Sequence, residues 1–218
     1  MRIATPDLVT NSYFPALAAE ELGIYREEGL DAHVELRPSL DAVNALRDGA
    51  VDFVAGGAHT MLLAFPQWNG AKLVVTLSQG TPWLLVVRAD LPARRGDGPP
   101  AAGHYTFAAL STTDALIARE PERVAAAVRA IVRTQRMLRK EPARASEVGR
   151  RRFPPAAAEI IAAIVERDLP FYDPVVSHAA VETMNGFAQA IGLLAKPVAY
   201  EAVVATRFRD LWTSGGAE

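Results

Sequence analysis

The stretch "RIATPDLVTNSYFPALAAEELGIYREEGLDAHVEL", residues 2–36, changes its hydrophobic period twice. "RIAT" (2–5) reads as a short strand. From Ser12 to Gly29 the period is helical, with Phe14, Leu17, Ala18 and Leu22 on one face. Gly23 or Gly29 ends that helix, since glycine takes a positive φ without steric penalty. "DAHVELR" (31–37) alternates and sets Ala32, Val34 and Leu36 on one side of a second strand.

The same alternation of elements continues outward. "PSLDAVNALRDGAV" (38–51) predicts a helix capped by Ser39, with Val43 and Leu46 inward. "VDFVAGG" (51–57) predicts a strand running into glycines, and "HTMLLAFPQWN" a short helix ended near Pro66. "KLVVTLSQGTPWLLVVRAD" (72–90) holds two apolar strand-like runs broken at Gly80 and Pro82, and "YTFAALSTT" (105–113) one more strand. Beyond it the chain is helical. The expected inward stripes are Val124, Val128, Ile131 and Leu138, then Ile160, Ile161, Ile164 and Val165, then Val181, Met184, Ala188 and Ile191. Prolines fall mostly at helix boundaries. The fold class is α/β: a mostly parallel sheet of about five strands flanked by helices, with a helical C-terminal half.

Length and composition bound the function. The 218 residues suffice for one generous domain or two small ones. A net charge of −2 gives no nucleic-acid signature. The absence of cysteine excludes disulfides, thiolate metal sites and cysteine nucleophiles. No apolar run approaches the roughly 18 residues of a membrane span. The N-terminus does not read as a secretory signal, so a cytoplasmic location is expected unless a leader has been trimmed. Charge is uneven: residues 119–152 hold eleven basic and four acidic side chains. Solvated helix faces are one reading of that stretch, and a docking face for an anionic partner is the other. The pairs Glu20–Glu21 and Glu27–Glu28 read as a solvated helix face.

In an open parallel sheet, ligands bind beyond the carboxyl ends of the strands. The residues at those ends are the candidates for ligand binding. They are Thr10, Asn11, Ser12 and Tyr13; then Ser39; then Gly57, His59 and Thr60; then Ser78, Gln79, Thr81 and Trp83; and last Ser111 and Thr112. Small hydroxyls, glycines and helix N-termini favour a polar or anionic ligand, although several of these residues would also serve as plain caps. His59 reads either as a ligand donor or proton carrier, or as a histidine satisfying a helix start. Trp68 and Trp83 read as core or as stacking platforms. His33, His104 and His178 lack metal-ligand spacing, and G-x-G-x-x-G, P-loop and G-x-S-x-G motifs are absent. No cofactor and no catalytic constellation is expected.

Three segments carry a resemblance: residues 2–36 with the phrase "EELGIYREEGLD" (20–31), "LDAVNALRDGAVDFVAGG" (40–57), and "YTFAALSTTDALIAREPERVAAAVRAIVRTQRML" (105–138). Together they resemble periplasmic solute-binding proteins of type II, in the nitrate, sulfonate, taurine and thiamine-precursor subgroup. The resemblance implies two α/β lobes clamping a small solute, delivery to an ABC-transporter permease, and a periplasmic location. It also implies that a lobe of about a hundred residues should follow residue 91. Only residues 92–104, rich in glycine and proline, stand in its place. The expected organisation is therefore one lobe spanning 1–218, with 1–91 its first part, 92–104 a short bridge and 105–218 the returning strand and C-terminal helices. A long loop in a one-lobe fold is the duller alternative.

One lobe offers half the contacts of a clamp, so weak binding is expected, with the face left open covered by C-terminal helices or by a second copy in a homodimer. Two other functions share the architecture: an enzyme of thiamine-pyrimidine or menaquinone type, and a homodimeric sensor domain. The absence of cysteine argues against the iron-dependent pyrimidine route, and no helix-turn-helix is visible.

Overall fold

Ile3, Ala4 and Thr5 are all buried, so β1 (Arg2–Thr5) is a strand covered on both faces. In the computed structural model, which describes residues 1–8, 10–79 and 107–213, β1 is the second strand of a five-stranded sheet. The others are β2 (His33–Leu36), β3 (Phe53–Gly57), β4 (Ala71–Ser78) and β5 (Ala108–Thr113), in the order β2-β1-β3-β5-β4. β1 pairs in parallel with β2 and β3, whereas β5 is antiparallel to both β3 and β4. Four strands thus share one direction and β5 opposes them.

Between β1 and β2 lie α1 (Phe14–Glu21) and α2 (Ile24–Glu27), separated by Gly23 at φ 76°. Both glycines flagged by the sequence are left-handed, so the expected single helix is two helices with a glycine hinge. α3 (Ser39–Arg47) joins β2 to β3. The chain steps outward from β1 to β2 and then back past β1 to β3, so right-handed crossovers set α1 and α3 on opposite faces. Ser39 is the first helical residue rather than the cap; Pro38 holds the cap position in extended backbone.

The C-terminal half comprises α4 (Asp114–Arg119), α5 (Pro121–Lys140), α6 (Ala143–Arg152), α7 (Pro155–Asp168), α8 (His178–Ala190), α9 (Tyr200–Val203) and α10 (Arg209–Thr213). Pro121 and Pro155 open α5 and α7, where a missing N–H leaves no bond unmade. The α5 stripe is buried as expected. Of the expected α7 stripe only Ile161 and Val165 are buried while Ile160 is 62% exposed, and Ile191 just after α8 is also exposed. The α7 seam is narrow because Gly149 of α6 meets the backbone of Ala158, which fixes which side of α7 faces inward. Trp68 is core. The second apolar run of residues 72–90 and the bridge 92–104 lie outside the described residues.

Much of the basic stretch 119–152 is answered within the chain. Arg129 and Arg133 bind Glu28 at 2.7 Å each, Arg133 reaches Glu27 at 2.6 Å, and Arg152 pairs with Glu20 and Glu21. Burial alone would raise the Glu28 carboxyl; Arg129 and Arg133 outweigh it and hold it below the usual range. The acidic pairs are therefore partners of α5 and α6 rather than a plain solvated face. Each exposed pair contributes less than about 1 kcal/mol, so the network chiefly neutralises these helices.

Two bulges in β4 tie the sheet to the helices. The register with β5 slips between Leu73 and Val75 and again between Thr76 and Ser78, leaving Val74 and Leu77 out of the ladder. The Val74 carbonyl accepts the Trp212 indole N–H at 2.9 Å, and the Leu77 carbonyl accepts the Gln135 amide at 2.9 Å. Gln135 is fully buried and also donates to the Thr76 carbonyl. Gln135→Met keeps the volume and strands these acceptors, so urea unfolding should show a loss of about 1–3 kcal/mol. Trp212→Phe keeps most of the ring and removes the donor, and should cost about 1–2 kcal/mol. Stability unchanged in both variants would contradict the role given to these bonds.

Candidate functional site

The carboxyl end of β1 enters a loop closed by Asp7. The Asp7 carboxylate accepts the Thr10 backbone N–H at 2.5 Å and the Thr10 hydroxyl at 2.6 Å. One 3-10 turn, Asn11–Tyr13, then leads into α1 and packs against β4 and β5. This carries a loop that starts at the second strand across the sheet toward the far edge strand. Ser12 is buried beneath it.

Two strand ends meet at Tyr13. Burial and the charge of Asp7 push its hydroxyl up to about 12, and a backbone hydrogen bond with Gly57 opposes them. Gly57 ends β3. A Cβ placed there would lie 3.2 Å from the His59 ring, so glycine is what lets the imidazole fold back over the strand end. The ring meets Phe187 of α8 edge-on, with centroids 5.0 Å apart. Burial lowers its pKa to about 4. The Thr60 hydroxyl is turned inward, donating to the Gly57 carbonyl at 2.7 Å.

At the end of β4, Ser78 is buried and Gln79 is gripped by the segment after α7. The Gln79 backbone N–H donates to the Phe171 carbonyl at 3.0 Å, and its side-chain amide to the Val175 carbonyl at 3.2 Å. The last turn of α7 and the segment after it supply residues the sequence reading missed. Asp168, wholly buried, accepts from the Asn11 side-chain amide and from the Arg167 guanidinium, and the Tyr172 hydroxyl donates to the Asn11 carbonyl at 2.8 Å. The signal was present in "ERDLPFYDP" (166–174), where charge and aromatics sit among prolines, but that stretch reads first as helix punctuation.

The structure thus gathers Thr10, Asn11, Ser12, Tyr13, Gly57, His59, Thr60, Ser78 and Gln79 on one edge. Ser39 stands beyond β2, at the opposite side of the sheet from β4. Thr81 and Trp83 lie outside the described residues. Ser111 and Thr112 are corrected: because β5 runs antiparallel, its carboxyl end points to the other edge. There Ser111 faces Val54 in the register, and the Thr112 hydroxyl donates to the Asp52 carbonyl at 2.7 Å. The site edge instead receives the start of β5, where the Phe107 carbonyl accepts the Ala58 N–H at 2.8 Å.

Under the β1 loop, Thr5, Asp7, Thr10, Tyr13 and Phe14 help line a cavity of about 10 Å³. That holds one water at most, so any organic solute would rest on the edge rather than inside it. Among the described residues no group of three His, Asp or Glu side chains is arranged to hold a metal ion.

Solved structures with this architecture are solute-binding proteins among others. A protein of Bordetella bronchiseptica RB50 superposes with a TM-score of 0.69 at 15% identity, over 96% of this chain and 95% of that one. The ligand-binding component of an ABC-type import system from Staphylococcus aureus, with zinc bound, gives 0.64 at 10% identity over 100% and 99%. A Candida albicans protein with the generic periplasmic binding protein fold gives 0.58 at 12% identity over 97% and 95%. The fold is that of a periplasmic-binding-protein lobe. No family model and no curated protein sequence matches the chain, so the likeness is one of fold.

His59 makes this lobe pH-sensitive. Its folded pKa of about 4 lies below the ordinary value of 6.5, so the unfolded chain takes up the proton first. Stability from this group is complete above pH 6.5 and is lost as pH falls toward 4. Between pH 7 and pH 5 the loss should be about 2 kcal/mol. Urea titrations at both pH values should show it, and His59→Gln should remove that part of the difference.

Proposed function

We propose that the chain is a solute-binding domain of the kind that serves ABC-type importers, reduced to one lobe and binding a small polar or anionic organic solute at the carboxyl edge of its sheet. The observation that carries this reading is the place where the chain leaves and returns. Ser78 and Ala108 are neighbours in the β4–β5 register, so residues 79 and 107 stand side by side at the edge that holds Asn11, Tyr13, Gly57 and His59. A second lobe inserted between them would close over those residues, and residues 92–104 take its place here. The nitrate, sulfonate, taurine and thiamine-precursor subgroup is the closest reading of the sequence phrases. A protein described as the periplasmic sulfonate-binding component of an ABC transporter in Methylobacillus flagellatus KT shares the fold, with a TM-score of 0.59 at 13% identity over 95% of this chain and 92% of that one.

The reading is of a binder rather than an enzyme. With a pKa near 4, His59 is neutral and a weak base at ordinary pH, suited to donating or accepting a hydrogen bond. A periplasmic location and a permease partner follow from the same reading. So does a second copy as the cover of the open edge: Leu36 ends β2, Leu40 and Leu63 follow strand ends, and the three are 58%, 54% and 44% exposed.

A screen of sulfonates, nitrate, pyrimidines and polyamines by amide NMR tests the proposal. One class should give saturable shifts at Asn11, Gly57 and Gln79, with a dissociation constant of about 1 mM, since an open site leaves most of a ligand wet. Asn11→Ala should weaken it about tenfold. No saturable shift at these amides with any class would overturn the reading.

A further inference from the structure

The pairing of Arg167 with Asp168 differs from the surface ion pairs of α5 and α6. Arg133 divides itself between Glu27 and Glu28, with Glu27 itself exposed. Asp168 is wholly buried, while the Arg167 side chain is 48% exposed. The contact is side-on: Nε donates to Oδ1 at 2.6 Å and Nη2 to Oδ2 at 2.9 Å. A guanidinium carries five N–H donors, and this contact uses two of them. Nη1 makes no hydrogen bond among the described residues. The plane of the fork is therefore fixed from behind while its outer edge is open.

The position matters as much as the geometry. Oδ2 of Asp168, which receives Nη2, also receives the side-chain amide of Asn11. One buried carboxylate thus holds both Arg167 and the first residue of the turn that crosses the site. The neighbouring carboxylates have donors of their own: Thr10 for Asp7, and the Val175 N–H for Asp173 at 3.0 Å.

We infer that Arg167 is the recognition residue for the solute and that its class is a small organic oxyanion, a sulfonate or carboxylate, held by the outer edge of the guanidinium beside Asn11. Asp168 is the positioning residue. A planar fork suits such head groups better than a point charge, and a fork already held in place loses little freedom on binding. The charges of Arg167 and Asp168 cancel at a distance, so the attraction acts at hydrogen-bond range and selects shape rather than negative charge at large. The inference rests on the solute-binding reading.

The test uses the full chain with nitrogen-labelled arginine. The Nε–Hε signals are followed during titration with ethanesulfonate, acetate, a neutral sulfone and ethylammonium. Ethanesulfonate or acetate should shift the Arg167 signal saturably while Arg139, exposed on α5, moves little. Arg167→Lys should weaken binding about tenfold and Arg139→Ala should leave it unchanged. If the amides of Asn11, Gly57 and Gln79 saturate with the sulfone or the ammonium while the Arg167 signal stays fixed, this inference falls and the binding function stands. If no signal saturates with any of the four, this inference falls, and the wider screen of sulfonates, nitrate, pyrimidines and polyamines decides the binding function. The wild-type titration decides the matter even where a variant folds poorly.

Discussion

β5 hydrogen-bonds to β3 on one side and to β4 on the other, and it runs against both. Without it β4 has no place in the sheet, since β4 and β3 do not pair with each other. This strand closes a sheet whose first four members come from residues 2–78, and it is reached only after the chain has left the described structure at residue 79. Its pairing with β4 also sets the two bulges, and the bulges create the carbonyls that Trp212 and Gln135 answer. The C-terminal half is thereby locked on: Thr76 donates to the Pro174 carbonyl, Gln79 to Phe171, and the Ala205 N–H to Leu73. These bonds cover the outer edge of β4, which would otherwise offer an open row of donors and acceptors.

The same arrangement decides what the site edge can be. Many polar groups at it are tied to one another among the described residues: Asp7 to Thr10, Tyr13 to Gly57, Thr60 to Gly57, Gln79 to Val175, Asn11 to Asp168. Such local satisfaction makes a firm platform and leaves few donors free. An exposed edge built this way discriminates by the groups that remain presentable. On the proposed reading, a guanidinium braced by a buried carboxylate weighs more here than the count of hydroxyls that the sequence suggested.

Most of the fold was legible because the relevant signals are local. Hydrophobic period, the positive-φ glycines Gly23 and Gly29, and prolines at helix starts are set by near neighbours in the chain. The site was legible only in its first half. Asn11, Tyr13, Gly57, His59 and Gln79 follow strands whose direction was read correctly. Ser111 and Thr112 failed because alternation along a strand is the same whichever way it points; direction is fixed by where the chain re-enters, and that is a tertiary fact. Asp168 and Arg167 went unread for a related reason. Their meaning comes from Asn11, more than 150 residues earlier, and nothing in "ERDLPFYDP" names that partner.

A lobe of a clamp and a free-standing domain face opposite demands at the same edge. A clamp needs a wet, polar jaw that gains its affinity on closure, whereas a domain without a second jaw must avoid an apolar opening that would invite aggregation. The edge described here meets both demands in part. Its centre is polar and braced, with room beneath for no more than a water. Toward β2, Leu36 and Leu40 remain exposed. Burying roughly 100 Å² of apolar surface contributes about 2.5 kcal/mol, so even a small cover over those leucines would be worth more than tenfold in affinity.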